Sequence, residues 1–141
     1  MKENNSRTPD SKGNILIVDD EDVVIDVAEL VLRRAGYHVV TARGGPEAVG
    51  LMQAHTRACD KFDAVILDLL LSGEPAGQEL IETFLGIDPD SRIIISSGNP
   101  FDHMILHYSE YGISGILNKP YRAGDLIAAI EKVIADNVAA D

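Results

Sequence analysis

The chain has 141 residues, 45% of them hydrophobic, which suits one compact domain and excludes a wholly disordered chain. Its net charge is −11, and no basic run exceeds Arg33-Arg34, which argues against direct binding to nucleic acid or an anionic membrane. The single cysteine, Cys59, excludes an intrachain disulfide, and no apolar run approaches the roughly 18–20 residues that span a bilayer. The expected setting is cytoplasmic, without membrane insertion.

Residues 1–13 are polar and aperiodic and are expected to form a flexible tail, with one domain over residues 14–136 and a short tail at 137–141. The domain opens on an apolar run, Ile15-Leu16-Ile17-Val18, that ends abruptly in Asp19-Asp20-Glu21-Asp22. A helix is predicted from Asp22 to Ala35, with Val24, Val27 and Val31, and Leu30 beside them, on its inner face and Gly36 as its stop. A second strand follows at His38-Val39-Val40-Thr41. A second helix is predicted from Pro46 to His55, with proline in its first turn and Ala48, Val49, Leu51 and Met52 as its apolar residues. Val65-Ile66-Leu67 is a third strand ending in Asp68, followed by a helix over Gln78–Leu85 carrying Leu80, Ile81, Phe84 and Leu85. Ile93-Ile94-Ile95 runs into Ser96-Ser97-Gly98. A helix is predicted from Pro100 to Tyr111, closed by Gly112. A fifth strand, Ser114–Leu117, precedes a helix over Ala123–Ala135 with a stripe of Leu126, Ile127, Ile130, Val133 and Ile134. No output domain is expected after it.

Five apolar strands without polar alternation, each followed by an amphipathic helix, imply a parallel sheet covered on both faces. The fold class is therefore α/β, a doubly wound (βα)₅ three-layer sandwich with right-handed crossovers.

In such sheets ligands bind beyond the carboxyl ends of the strands. Those ends carry Asp19 and Asp20 (first strand), Asp68 (third), Ser96 and Ser97 (fourth) and Lys119-Pro120 (fifth). Three carboxylates at one edge repel one another unless a cation joins them, and Mg²⁺ takes oxygen ligands from one or two carboxylates plus phosphate. A carboxylate beside Mg²⁺ and a lysine can attack a phosphoryl group, while metal, ammonium and hydroxyl balance its charge.

The segments ILIVDDE (15–21), VILDLLLSG (65–73), IIISSG (93–98) and GILNKPY (115–121), in this order and each on a strand end, resemble a response regulator receiver domain of two-component signalling. Ser97 lies 29 residues after Asp68, and Lys119 lies 22 after Ser97, spacings similar to the family's. The resemblance implies a flavodoxin-like sandwich with strand order 2-1-3-4-5. It implies that Asp68 accepts a phosphoryl group from a sensor histidine kinase or a histidine phosphotransfer protein, and that the phosphorylated form changes its contacts with a downstream protein. Asp20 and Asp68 would contact Mg²⁺ (or Mn²⁺) directly, Asp19 through water, and the Leu70 carbonyl would be a further ligand. Ser97 would be the switch hydroxyl, with Ser96 as the alternative one residue earlier. Lys119 would hold a phosphoryl oxygen, with a cis bond into Pro120. Leu70 and Asn99 would tune hydrolysis. Beyond its own phosphorylation and dephosphorylation, no enzymatic activity is implied.

The chain departs from the family pattern in three places. Ile116 stands three before the lysine, where an aromatic often rotates inward. The loop Leu69–Gly77 has Ser72 where proline is common and is one residue longer before its second glycine. An apolar Leu70 has no group to orient a hydrolytic water, so autodephosphorylation is expected to be slow. A Mg²⁺-dependent phosphatase acting through an aspartyl phosphate is the alternative, but such enzymes place an acid two residues after the nucleophile, where this chain has Leu70.

Other residues have plainer readings. Asp19 and Asp20 also suit the start of the first helix. His103 and His107 stand i, i+4, a spacing compatible with metal, but without a third ligand nearby in sequence they read as solvated or partner-facing. Tyr108, Tyr111 and Tyr121 read as half-buried or partner-facing rings.

Overall fold

A computed structural model describes residues 11–71, 74–75, 77–99 and 101–140, with 74–75 and 136–140 described by backbone alone. Residues 1–10 of the expected tail, Ser72, Gly73, Ala76, Pro100 and Asp141 lie outside the described residues. Five strands, β1 (Asn14–Val18), β2 (His38–Ala42), β3 (Ala64–Asp68), β4 (Ile93–Ser97) and β5 (Gly115–Asn118), form one parallel sheet in the order 2-1-3-4-5. The register pairs Val18 with Leu67, Asp68 with Ser96, and Ser97 with Asn118, so the strand ends that carry the polar residues finish level. The helices are α1 (Asp22–Arg34), α2 (Gly45–Arg57), α3 (Gly77–Ile87), α4 (His103–Leu106) and α5 (Ala123–Ala140).

Side chains alternate across the strands, yet both faces are apolar because both are covered. Leu16, Val18, Val65, Leu67, Ile93 and Ile95 meet Ala48 and Met52 of α2 and Leu80, Ile81 and Phe84 of α3. Ile15, Ile17, Ile66 and Ile94 meet Ile25, Ala28 and Leu32 of α1 and Leu126, Ile130 and Val133 of α5. Phe84 has no solvent exposure. Phe84→Ala is therefore expected to cost about 3–5 kcal/mol in urea denaturation, through lost burial and the cavity left behind.

The inner face of α1 differs from expectation. Ile25, Ala28 and Leu32 are buried, whereas Val27 and Leu30 are more than half exposed. The helix carries two adjacent apolar stripes, and its entry from β1 turns the Ile25–Leu32 stripe to the sheet. Val24 and Val31 lie at its margin, half-buried.

The fourth helix also differs. In place of a continuous helix to Tyr111 there is one turn, His103–Leu106, then a 3₁₀ turn over Tyr108–Tyr111. His107 leaves helical geometry at φ −124° and ψ 36°, and neither segment buries a residue fully, so no packed stripe sustains a longer helix. Asp102 caps the turn by accepting the Met104 N–H at 2.9 Å, and Gly112 ends the 3₁₀ segment in the left-handed region at φ 80°.

Backbone pairing and helix reach further than expected at two points. Within the expected flexible tail, Lys12 N–H donates to Gly36 O and Gly13 O accepts from His38 N–H, each at 2.9 Å, which docks this end beside β2. At the other end α5 continues to Ala140, past the last residue of its apolar stripe, through the good helix formers Ala139 and Ala140. The long loop after β3 is partly ordered as a two-residue antiparallel pair, Leu70–Leu71 with Glu74–Pro75.

Candidate functional site

The strand ends place the acids and the lysine together. Asp19 follows β1, Asp68 ends β3 and Lys119 follows β5, and all three side chains are largely buried. One oxygen each from Asp19, Asp20 and Asp68 lies within 4.8 Å of the others. Lys119 Nζ is 3.0 Å from Asp19 Oδ2, 3.2 Å from Asp68 Oδ2 and 3.3 Å from Glu21 Oε1. The ammonium thus neutralises the cluster from one side. The Lys119–Pro120 peptide bond is cis.

Backbone groups fix the acids further. Asp68 Oδ1 accepts the Leu70 N–H at 3.1 Å, and Asp19 Oδ1 accepts the Glu21 N–H at 2.9 Å. Asp19 therefore serves the turn into α1 as well as the cluster. Burial raises the Asp68 carboxyl above the ordinary aspartate range; the Leu70 N–H opposes this, the Asp19 charge adds to it, and Lys119 opposes it. Burial on its own would lower Lys119, but its hydrogen bonds and charge contacts with Asp19 and Asp68 outweigh that and raise it.

Ser97 lines the same shallow pocket as Asp68, together with Leu69, Leu70, Gly98, Asn99 and Asp102. Its Oγ accepts the Asn99 N–H at 3.0 Å, and its carbonyl accepts the Lys119 N–H at 2.8 Å. The serine strand and the lysine loop are thus joined through the backbone. Ser96, level with Asp68 in the register, has a buried hydroxyl with no partner among the described residues and does not line this pocket. Asn99 is exposed, and its Oδ1 accepts the Phe101 N–H at 3.1 Å. Ile116 is half-buried against the α2–α3 side of the core.

Two features escaped the sequence pattern. Glu21 reads as one more acid in a run, yet it is a third carboxylate on Lys119. Exposed Val23 and Val27 of α1 border Lys119, Pro120 and Tyr121, forming an apolar rim beside the acidic edge. Their exposure depends on which stripe of α1 faces the sheet, and the sequence left that open.

The three acids are a hard oxygen donor set of the kind that suits Mg²⁺ or Mn²⁺. Lys119 relieves part of the repulsion between Asp19 and Asp68, and a divalent ion would relieve more. Among the described residues, no helix is long and apolar enough to cross a membrane.

Comparisons with known proteins agree with this geometry. The family model described as the response regulator receiver domain matches residues 15–131. The transcription factor SKN7 of Candida albicans is 29% identical over 128 residues, covering 91% of this chain; the chain spans only 22% of that relative's length. A response regulator receiver domain protein from Clostridium thermocellum superposes with a TM-score of 0.77 at 28% identity, covering 92% of this chain and 99% of that one. A response regulator protein from Burkholderia pseudomallei, solved with a phosphorylated aspartic acid, calcium ion and citrate, superposes with a TM-score of 0.74 at 27% identity, covering 91% of this chain and 72% of that one. With the family model matching residues 15–131, which include all the strand-end residues, the chain belongs to the response regulator receiver domain family.

Proposed function

We propose that this receiver domain takes a phosphoryl group onto Asp68 from a phosphohistidine of a sensor histidine kinase or a histidine phosphotransfer protein, in a reaction that requires Mg²⁺ or Mn²⁺. The observation that carries this reading is Asp68, an inward carboxylate at the end of β3, 3.2 Å from Lys119 Nζ and within reach of Asp19 and Asp20. The Burkholderia pseudomallei relative, described with a phosphorylated aspartic acid and a calcium ion, supports it.

An Asp68 carboxylate oxygen attacks phosphorus; the O–P bond forms as the P–N bond to the donor imidazole breaks, and the electron pair returns to that nitrogen. The residues that would hold the metal are Asp20 and Asp68, with Asp19 through water and the Leu70 carbonyl as a further ligand. When bound, the ion supplies positive charge to the phosphoryl oxygens. Lys119 exchanges its contact with Asp68 for a phosphoryl oxygen. Ser97 turns its hydroxyl from Asn99 to another, which draws on the β4–β5 connection through the Ser97 carbonyl and biases a two-state equilibrium around α4 and β5. The donor approaches over the rim of Val23, Val27, Pro120 and Tyr121, which is apolar and open beside Lys119. The output is a changed contact with a downstream protein, in the cytoplasm where nucleotide-fuelled kinases work. No observation favours the phosphatase alternative, since Leu70 offers a leaving group no proton.

The test uses acetyl phosphate with Mg²⁺ and intact-mass detection. One added phosphoryl is expected, and none when the divalent ion is chelated; no adduct under either condition contradicts the reading. Leu70 is half exposed in the Asp68 pocket, and its side chain has no group to hydrogen-bond a water. The adduct is therefore expected to persist for minutes or longer after the donor is removed, and decay within seconds in the purified protein contradicts the role given to Leu70.

A further inference from the structure

The segment between β4 and β5 carries a second cluster that the phosphoryl chemistry does not use. His103 opens α4 and His107 follows it by one turn, held in register by the His107 N–H donating to His103 O at 3.0 Å. Their rings lie 4.5 Å apart, centre to centre. At that separation one ion can reach a nitrogen of each ring at about 2.0–2.1 Å after a small adjustment of the side chains.

The partners of the rings are informative. His107 Nδ1 is 3.1 Å from Glu110 Oε2, and His103 Nδ1 is 2.7 Å from the Tyr111 hydroxyl. A carboxylate accepts only, so neutral His107 donates from Nδ1 and presents its lone pair at Nε2. The Tyr111 hydroxyl oxygen can accept from His103 Nδ1–H in the same way. Both rings then offer Nε2, for which no partner exists among the described residues. A metal-binding histidine characteristically donates its other N–H to a carboxylate or another oxygen, which orients the ring and strengthens the ligand. Here both rings of an i, i+4 pair have such an outer partner. Both histidines are exposed or half exposed, so an ion reaches them from solvent. The net charge of −11 further favours a cation.

We infer that His103 and His107 form a two-histidine site for a borderline transition ion such as Zn²⁺, distinct from the acidic Mg²⁺ site, with Glu110 and Tyr111 as its outer partners. Imidazole selects Zn²⁺, Ni²⁺ or Cu²⁺ over Mg²⁺, which prefers the carboxylates of Asp19, Asp20 and Asp68. With two protein ligands the ion keeps open positions for water or for a donor from another molecule. It also staples the single turn of α4 to the following 3₁₀ turn, where packing alone holds little.

The test is a Zn²⁺ titration of the whole chain, followed by calorimetry and by the imidazole proton resonances, with excess Mg²⁺ present. Saturable binding is expected, with the resonances of His103 and His107 shifting and those of His38 and His55 unmoved. His103→Gln and His107→Gln are each expected to weaken binding at least about tenfold, and Glu110→Gln about tenfold, without changing the thermal midpoint of the metal-free protein. Equal Zn²⁺ affinity in both histidine variants, shifts confined to other groups, or the absence of saturable binding at millimolar Zn²⁺ overturns the site. Unchanged affinity in Glu110→Gln overturns the role given to that carboxylate.

Discussion

Asp68→Asn is expected to leave no phosphoryl adduct after treatment with acetyl phosphate and Mg²⁺, and also to raise the melting temperature of the metal-free protein. The first effect follows because an amide oxygen carries no anionic lone pair to attack phosphorus. The second follows from burial. The fold raises the Asp68 carboxyl above its ordinary range, so folding favours the protonated form. As pH rises through the window between the ordinary aspartate range and that raised value, the folded state binds more protons than the unfolded one and stability falls. At neutral pH the ionised carboxylate therefore opposes folding, and the isosteric amide removes that opposition. A higher thermal midpoint for the variant is expected by thermal denaturation in chelator. Mg²⁺ reverses the order, because an ion that binds only the folded parent stabilises it by mass action. A variant that melts lower than the parent without metal contradicts the electrostatic description of Asp68.

Lys119→Met is expected to act on stability in the opposite direction. Lys119 is the counter-charge for Asp19 and Asp68, whose side chains are only 4% and 7% exposed. Removing one partner of a buried pair costs 3–5 kcal/mol in general, and partial solvent access to Lys119 reduces this to about 2 kcal/mol. The contact with exposed Glu21 adds little. The fold raises Lys119, so its contribution is complete at neutral pH and is lost only as pH climbs through and beyond the ordinary lysine range. Without the ammonium Asp19 and Asp68 lose the counter-charge they share, so the variant is expected to bind Mg²⁺ more tightly than the parent and to recover part of its lost stability when Mg²⁺ is added. Phosphorylation is nevertheless expected to fall by about tenfold or more, because one charge on the phosphoryl oxygens is missing. Denaturation with and without Mg²⁺ checks the first part, and the rate of adduct formation checks the second. A variant as stable as the parent in chelator contradicts the pairing.

The strands were legible because a sheet covered on both faces leaves uninterrupted apolar runs, and each run here stops at a polar residue. The grouping of the candidate site was legible for the same reason: Asp19 and Asp68 stand where two of those runs break, Ser97 and Lys119 one residue past two others, and parallel topology brings such breaks to one edge. Periodicity failed where two answers fit it. In α1 the Val24–Val27–Val31 stripe and the Ile25–Ala28–Leu32 stripe are neighbours on the helix surface, and only packing against β1 and α5 selects the second. In the fourth helix, Gly112 marked the end correctly, but nothing in the residues from His103 onward announced the break at His107, which follows from the lack of a buried stripe. Glu21 was hidden because its contact joins residues 98 positions apart. The outer partners of His103 and His107 were hidden because Tyr111 reaches back across the break in the helix.

The acceptor itself is best tested by trapping. An aspartyl phosphate is reduced by borohydride to homoserine, so treatment of the phosphorylated chain followed by peptide mapping reads out which carboxyl carried the phosphoryl group. Homoserine at position 68, absent when the donor or Mg²⁺ is omitted, is the expected result. Homoserine at position 19 or 20, or an adduct that survives borohydride unchanged on another side chain, contradicts the assignment of Asp68.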